Sequence, residues 1–363
     1  MSLEVGIVGL PNIGKSTLFS ALTNLRAEVA NYPFCTIDPN VGIVQLHDSR
    51  MSRLKELLTP DRIVPATLQI VDIAGLVKGA SGGEGLGNKF LSHIRQVHAV
   101  AHVVRCFENQ NIVHVEGKVD PLGDIEVIKT ELILSDLEQT DRRLERLNRQ
   151  IKSDSSLISH VNTLQKLRDH LNEGNFARSM VINEDEKYAL VELNLLTMKP
   201  YLYIANISED DLKNPSPHLV KLNELAMNEG VEVIPICAKI ESELAEMEED
   251  ESLLFMDELG INSSGLEKLS HAGYALLDQI TYFTAGKNEV RAWEIPNGST
   301  APEAAGKIHT DFEKGFIRAE VFHFDDIDSL GSESLVKEAG KWRLEGREYV
   351  VQDGDIMHFR FNV

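Results

Sequence analysis

The chain has 363 residues, 42% hydrophobic and 26% charged, which suits a globular protein of two or three domains with real cores. Its 57 acidic and 36 basic residues give a formal charge of −21, which argues against a surface that grips nucleic acid everywhere but leaves room for a local basic patch. Three scattered cysteines, Cys35, Cys106 and Cys237, argue against a disulfide framework or a zinc centre, and with neither a membrane span nor a signal peptide legible a cytoplasmic protein is expected.

Residues 3–9, LEVGIVG, read as a short buried strand ending in glycine. A glycine-containing loop follows, and Ser16-Thr17-Leu18-Phe19 opens a helix. Further buried strands are expected at 67–73, 99–107, 201–205 and 231–236, with helical stretches between most of them. Such alternation predicts a parallel sheet covered on both faces. The stretch from Asp72 to Asn206 is too long for two strand–helix units of roughly 30 residues each. Its excess is helical. Ile133, Leu137, Thr140, Leu144, Leu147 and Ile151 recur at alternating four- and three-residue steps, a heptad-like seam, and Val161, Leu164, Leu167 and Leu171 offer a partner helix. Residues 125–195 are therefore expected as a helical hairpin with coiled-coil packing, turning at Ser153-Asp154-Ser155-Ser156. The acid-rich run 241–251 reads as a solvated loop or helix face. Past Gly286 the pattern changes: Thr300 to Glu303 fits a capping box opening a helix toward Phe312, residues 319–324 read as a strand, and Asp353-Gly354 turns into a last strand from Ile356 to Phe361. That is a compact α+β module.

The segment Gly9-Leu10-Pro11-Asn12-Ile13-Gly14-Lys15-Ser16 matches the phosphate-loop pattern G-x-x-x-x-G-K-[ST], between a predicted strand and a predicted helix, the context that gives the pattern meaning. Glycines let backbone N–H groups curl around phosphate oxygens, and the helix offers its positive end to the anion. Lys15 would reach the β- and γ-phosphates, and the Ser16 hydroxyl would ligate Mg²⁺. Asp72-Ile73-Ala74-Gly75 ends the second strand; Asp72 can hold Mg²⁺ through water, and the Gly75 amide can sense the γ-phosphate. The glycine-rich run from Gly79 to Gly87 reads as a switch or as a plain loop. Thr36, in NYPFCT, could complete the Mg²⁺ shell.

Asn206-Ile207-Ser208-Glu209 stands where a GTPase carries N-K-x-D, and Cys237-Ala238-Lys239 would be the second loop beside the base. Glu209 adds a methylene to the guanine-reading Asp, and Ile207 replaces the Lys. A guanine site that loses its polar match is penalised heavily, whereas the Asn206 carboxamide can pair with adenine N6 and N7. The pattern tilts toward ATP; a degenerate guanine site is the competing reading. Leu76 occupies the position of the water-orienting Gln of Ras-like enzymes and cannot hydrogen-bond. His114, in a loop beyond the third strand, is the candidate that could orient water, while His93, His98 and His102 sit in structural patterns. The Asn12 amide oxygen could hold a monovalent cation, K⁺, against the phosphates, or merely stabilise the loop.

GLPNIGKST, NYPFCTI, DIAGLVKGASGGEGLGNKFL and NISE together resemble the Obg-related P-loop GTPases, and within them the YchF, or Obg-like ATPase, subfamily. FTAGKNEVRAW, APEAAGKIHTDFEKGFIRAEV and DGDIMHFRFN resemble that subfamily's TGS domain, of β-grasp type. The resemblance implies an α/β P-loop G domain with a parallel-rich sheet (1–124 and 196–280), an inserted helical coiled-coil domain (125–195) and a C-terminal α+β TGS domain (281–363). It implies slow, ATP-preferring hydrolysis with Mg²⁺ and, through Asn12, K⁺, and association with ribosomes. Carried over, the phosphate loop is Asn12, Ile13, Gly14, Lys15, Ser16 and Thr17, Mg²⁺ falls to Ser16 and Thr36, and the base lies by Asn206, Ile207 and, on the second base loop, Ala238. It also supports His114.

A basic cluster on the helical insert, Arg142, Arg143, Arg146, Arg149 and Lys152, is either a solvated flank with intrahelical pairs or a contact for ribosomal RNA. Three functions stay open: a slow ATPase switch on ribosomes, a GTP-binding translational regulator, and an RNA-binding protein with a structural nucleotide. Neither a membrane nor specific DNA is expected as a partner.

Overall fold

The structure is a computed structural model, and it describes residues 4–24, 40–73, 85–109, 112, 117–151 and 154–362. The chain divides into two compact units. One holds the residues up to Ile43 and Gln69–Leu269; the other holds Val44–Leu68 and Ser270–Val363.

Strands β1 (Glu4–Val8), β2 (Val41–Gln45), β3 (Arg62–Val64), β4 (Thr67–Asp72), β5 (Ala99–Arg105), β6 (Tyr201–Asn206) and β7 (Val233–Ile236) lead the chain. All but β3 form one sheet in the order β2-β4-β1-β5-β6-β7. From β4 to β7 every neighbour runs parallel. All seven residues of β5 are buried, as a strand covered on both faces requires. Parallel strands put their C-terminal ends on one edge, so the residues after β1, β4, β6 and β7 gather there, where ligands bind in open α/β sheets.

The insert follows its seam. The helix Pro121–Gln150 starts with Pro121 in its first turn and with Asp120 accepting from Gly123 N at 3.2 Å. Leu144 and Leu147 pack with Val161, Leu164, Leu167 and Leu171 of the helix Ile158–Asn172. The returning chain is fastened by Asp136, fully buried on the long helix. Its carboxylate accepts from Leu196 N (3.0 Å), Thr197 N (2.8 Å) and the Thr197 hydroxyl (2.7 Å). Burial nonetheless pushes its pKa above the usual carboxylate range.

The second unit is built on strands β8 (Gln279–Ala285), β9 (Glu289–Pro296), β10 (Phe316–His323), β11 (Arg343–Glu345) and β12 (Asp355–Phe361), in the order β11-β10-β12-β8-β9-β3. Here the sequence boundaries and the packing differ. Residues 44–68 were expected within the nucleotide-binding domain, yet β3 pairs with β9 (Ile63 opposite Val290), and the helix Ser49–Leu58 buries Met51 and Leu54 in a cluster with Phe283, Val290 and Phe322. Arg50 ties this segment to the Asp353 turn at 2.7 Å. Two expected elements also shift. The helix opened by Thr300 stops at Ile308, because His309 is extended before a second short helix. The strand expected at 319–324 starts at Phe316 and ends at His323, whose ring Nδ1 accepts from Asp325 N and caps the next helix.

Leu54 has no exposed surface. Leu54→Ala should cost about 2–5 kcal/mol. The loss should appear in the thermal transition of the C-terminal unit, with nucleotide affinity unchanged; a loss confined to the nucleotide-protected transition would refute the grouping of 44–68.

Candidate nucleotide-binding site

The loop after β1 is shaped by what lies beneath it. A Cβ on Gly9 would meet Ile13 Cδ1 at 2.2 Å and the Val103 carbonyl at 2.8 Å, so only glycine fits. Asn12 and Gly14 take positive φ angles of 63° and 94°, which turn successive amides inward. The helix Lys15–Asn24 makes its first bond from Leu18 N to Gly14 O (3.0 Å). The amides just before it therefore point out of the helix N-terminus, where an anion is stabilised. The Ser16 and Thr17 side chains are exposed at this mouth.

Lys15 is almost buried, and its ammonium is ion-paired with the carboxylate of Asp72 at the end of β4. The two expected phosphate- and metal-handling groups are thus brought together. Ser16 and Asp72 supply hard oxygen donors at the loop mouth, a set that suits Mg²⁺ with most of its shell left to water and phosphate. Thr36, Gly75 and His114, and with them Leu76, lie outside the described residues.

Asn206 differs most from its expected role. Its side chain is buried at the end of β6, and it joins two loops. Nδ2 donates to the Ile13 carbonyl at 2.7 Å, and Oδ1 accepts from Ala238 N at 3.2 Å. One amide proton and one lone pair are therefore spent on the scaffold rather than kept for a base. A Cβ on Gly14 would meet Nδ2 at 2.1 Å, so the second loop glycine is required by this amide as well as by its φ.

The remaining base-loop residues are also engaged. Asp211 accepts from Ser208 N and Oγ (2.9 and 2.6 Å), which shapes the NISE turn. Ile207 is buried. Glu209 pairs with Lys239 at 3.3 Å, and that hydrogen bond, helped by Glu243, holds the lysine's pKa above its ordinary value. Burial pushes the Cys106 thiol up to about 12 and raises that of Cys237, so neither is a reactive thiolate.

His98 and His102 are structural, as expected. His98 Nδ1 accepts from Glu4 N at 3.2 Å, and burial lowers His102 to about 3, leaving it neutral in the core. Sequence reasoning missed Arg105. Fully buried at the end of β5, it donates to the carbonyls of Phe107 (3.0 Å), Ile112 (3.1 Å) and Asn109 (3.2 Å). An arginine closing a strand that is apolar apart from His102 was its only signal.

A phosphate loop after the first strand of a parallel sheet, an Asp at the end of the neighbouring strand and a base loop built on a buried Asn define a P-loop NTPase domain of the GTPase type. The family described as "50S ribosome-binding GTPase" matches residues 4–162, and the YchF-GTPase_C family, described as "Protein of unknown function (DUF933)", matches residues 279–362. The proteins named "Ribosome-binding ATPase YchF" from Haemophilus ducreyi and Bacillus subtilis are 54% and 55% identical to this chain, with 100% of each chain covered. The structure of the Schizosaccharomyces pombe YchF GTPase matches with a TM-score of 0.90 at 39% identity, over 99% of this chain and 98% of that one. The chain belongs to the YchF family.

Asn206→Ala leaves the Ile13 carbonyl and the Ala238 amide without their partner. At about 1–3 kcal/mol for each buried group, it should weaken ATP and GTP alike by at least about tenfold in calorimetric titration. A change of preference at undiminished affinity would show that the amide reads the base instead.

Proposed function

We propose that the chain is a cytoplasmic, slowly ATP-hydrolysing switch that prefers ATP to GTP and associates with ribosomes. The bacterial relatives are named ATPases and the fission-yeast protein a GTPase, so the choice of base has to be argued from residues. The observation that carries the reading is the buried, apolar Ile207 in the place of the guanine motif's Lys. A guanine site aims an unencumbered carboxylate at N1–H and the 2-amino group. Glu209 is longer than that Asp and pairs with Lys239 at the surface, and the Lys of the motif is the buried Ile207. Guanine loses its match, whereas adenine, which lacks both donors, loses nothing.

In this reading the Gly14-to-Thr17 amides and Lys15 hold the phosphates, the Gly75 amide meets the γ-phosphate, and Asn206 and Ala238 fix the base loop. Ser16, Thr36 and Asp72 would hold Mg²⁺, which would supply positive charge against the charge that develops on the phosphates. The Asn12 oxygen would hold K⁺. His114 orients the attacking water in place of the missing Gln. No helix among the described residues is long and apolar enough to cross a membrane. For the ribosome, the basic cluster divides. Arg142 pairs with Glu138 and Arg143 with Glu192, but among the described residues Arg146 and Arg149 have no carboxylate partner. Two exposed guanidinium groups on one helix face support a phosphate-backbone contact.

Equilibrium titration with ATP and GTP, with Mg²⁺ and K⁺ present, tests the base. The unaltered chain should bind ATP more tightly, and Ile207→Lys with Glu209→Asp should shift the ratio toward GTP by at least about tenfold. Tighter GTP binding by the unaltered chain would make this a GTPase. His114→Ala should lower kcat by about a hundredfold with ATP affinity unchanged, as for loss of one acid–base or orienting group. In cosedimentation, ribosome binding should differ between ATP and ADP, and Lys15→Ala should erase the difference; a difference that survives leaves the nucleotide a structural role only.

A further inference from the structure

The second base loop opens the helix Ala238–Leu244, whose buried face is held at two points. At its first residue, Ala238 N donates to Asn206 Oδ1 at 3.2 Å. One turn on, Glu241 is 3% exposed. Its Oε1 accepts from Gly265 N at 2.7 Å and its Oε2 from Leu266 N at 3.2 Å. Those amides are the first two of the helix Gly265–Leu276. A buried carboxylate thus caps a second helix, 24 and 25 residues further along the chain.

The second helix has a cap of its own. Ser264 stands directly before it, and the Ser264 hydroxyl accepts from Glu267 N at 3.0 Å, as an ordinary N-cap does. Glu241 takes the two amides that Ser264 leaves. Both bonds are charge-assisted, and a carboxylate is favoured at a helix N-terminus. Among the described residues no cation lies within ion-pair distance of Glu241, and Lys268 acts on it only from further off. The contact is also tight. A Cβ on Gly265 would meet Glu241 Oε1 and Ile236 Cγ2, both at 2.9 Å. Ile236 ends β7, and its carbonyl accepts from Ile207 N of the first base loop at 2.9 Å. The start of the second helix therefore packs against the ends that carry both base loops. On its outer face the helix Ala238–Leu244 has only the exposed pairs of Lys239 with Glu209 and Glu243, which hold weakly. Ala238 lies about 5 Å along the helix axis from Glu241. Its bond to Asn206 is already at the long end of the N–H···O range, so a small rocking of the helix would break it.

We infer that Glu241 is a positioning residue for nucleotide binding. It fastens the helix Ala238–Leu244 to the helix Gly265–Leu276, and so keeps the Ala238 amide on Asn206. Glu241 itself touches no nucleotide; it acts through Asn206. The inference rests on the proposed placement of the nucleotide beside Asn206 and Ala238.

The test uses the full chain, with calorimetric titration of ATP in Mg²⁺ and steady-state hydrolysis. Glu241→Gln keeps the size of the side chain but offers one acceptor and sets an NH₂ against the other amide. Gly265→Ala disturbs the same contact from the opposite side with Glu241 in place. Glu241→Gln should weaken ATP binding about tenfold, as loss of a charge-assisted bond does, and Gly265→Ala should act in the same direction. KM should rise to match, with kcat within about twofold of the unaltered chain, the split that marks uniform binding lost. Asn206→Ala removes the bond through which Glu241 acts, so adding Glu241→Gln to it should weaken ATP binding by no more than about twofold further. Full additivity would make the effect of Glu241 separate and merely structural, and would overturn the inference. A fall in kcat at unchanged KM would overturn it too. Where Glu241→Gln shows no cooperative thermal transition, Gly265→Ala decides. If Asn206→Ala weakens ATP binding but neither Glu241→Gln nor Gly265→Ala does, the nucleotide site stands and this inference alone falls. If Asn206→Ala binds ATP as the unaltered chain does, the placement of the nucleotide is wrong and the inference falls with it.

Discussion

The nucleotide site depends on one buried carboxamide. Asn206 bonds to the Ile13 carbonyl, 193 residues away along the chain, and to the Ala238 amide. It therefore fixes the loop after β1 against the loop after β7 from the end of β6, and the three ends keep one geometry. Each bond is worth only about 1 kcal/mol net, but both partners are backbone groups that water would have to reach if the amide were lost. The same amide fills the space above Gly14 and so forbids a side chain there. A glycine in the phosphate loop and an asparagine in the base loop are thus one packing requirement.

The Lys15–Asp72 pair adds an electrostatic constraint to this frame. Lys15 is almost buried, so its charge is costly to leave without a partner, while Asp72 is only partly buried. A phosphate that draws Lys15 away leaves Asp72 without its cation, and a divalent cation at Asp72 leaves Lys15 in need of an anion. On the proposed assignment of phosphate to Lys15 and metal to Asp72, the two ligands would favour each other's binding through the pair itself.

The sheet and the phosphate loop were legible because buried parallel strands and a G-x-x-x-x-G-K-[ST] turn leave strong local patterns. The insert was legible for the same reason, since a seam from Ile133 to Ile151 has no use except burial against a second helix. What escaped were contacts between distant segments. β2 and β3 are short, and nothing in 44–68 says that Leu54 will pack on Phe283 rather than on the nucleotide-binding sheet. Asn206 was read for the chemistry of its carboxamide toward a base; its burial, which decides where the carboxamide points, is a property of the folded edge. Glu209 was seen as a misfit for guanine, but the lysine that holds it stands beyond another strand.

The chain's charge sets the terms on which the basic face of the insert can work. At −21 the molecule as a whole repels a polyanion, and two of the basic cluster's four described arginines, Arg142 and Arg143, pair with Glu138 and Glu192. At physiological salt the screening length is about 8 Å, so the distant acidic surface is muted while charges in direct contact are not. Added salt therefore acts in two directions. It would weaken the proposed phosphate contacts at Arg146 and Arg149, and it also lifts the long-range repulsion. A protein of this charge gains nothing from non-specific attraction, and whatever RNA it holds must be held by a few arginines in the right places.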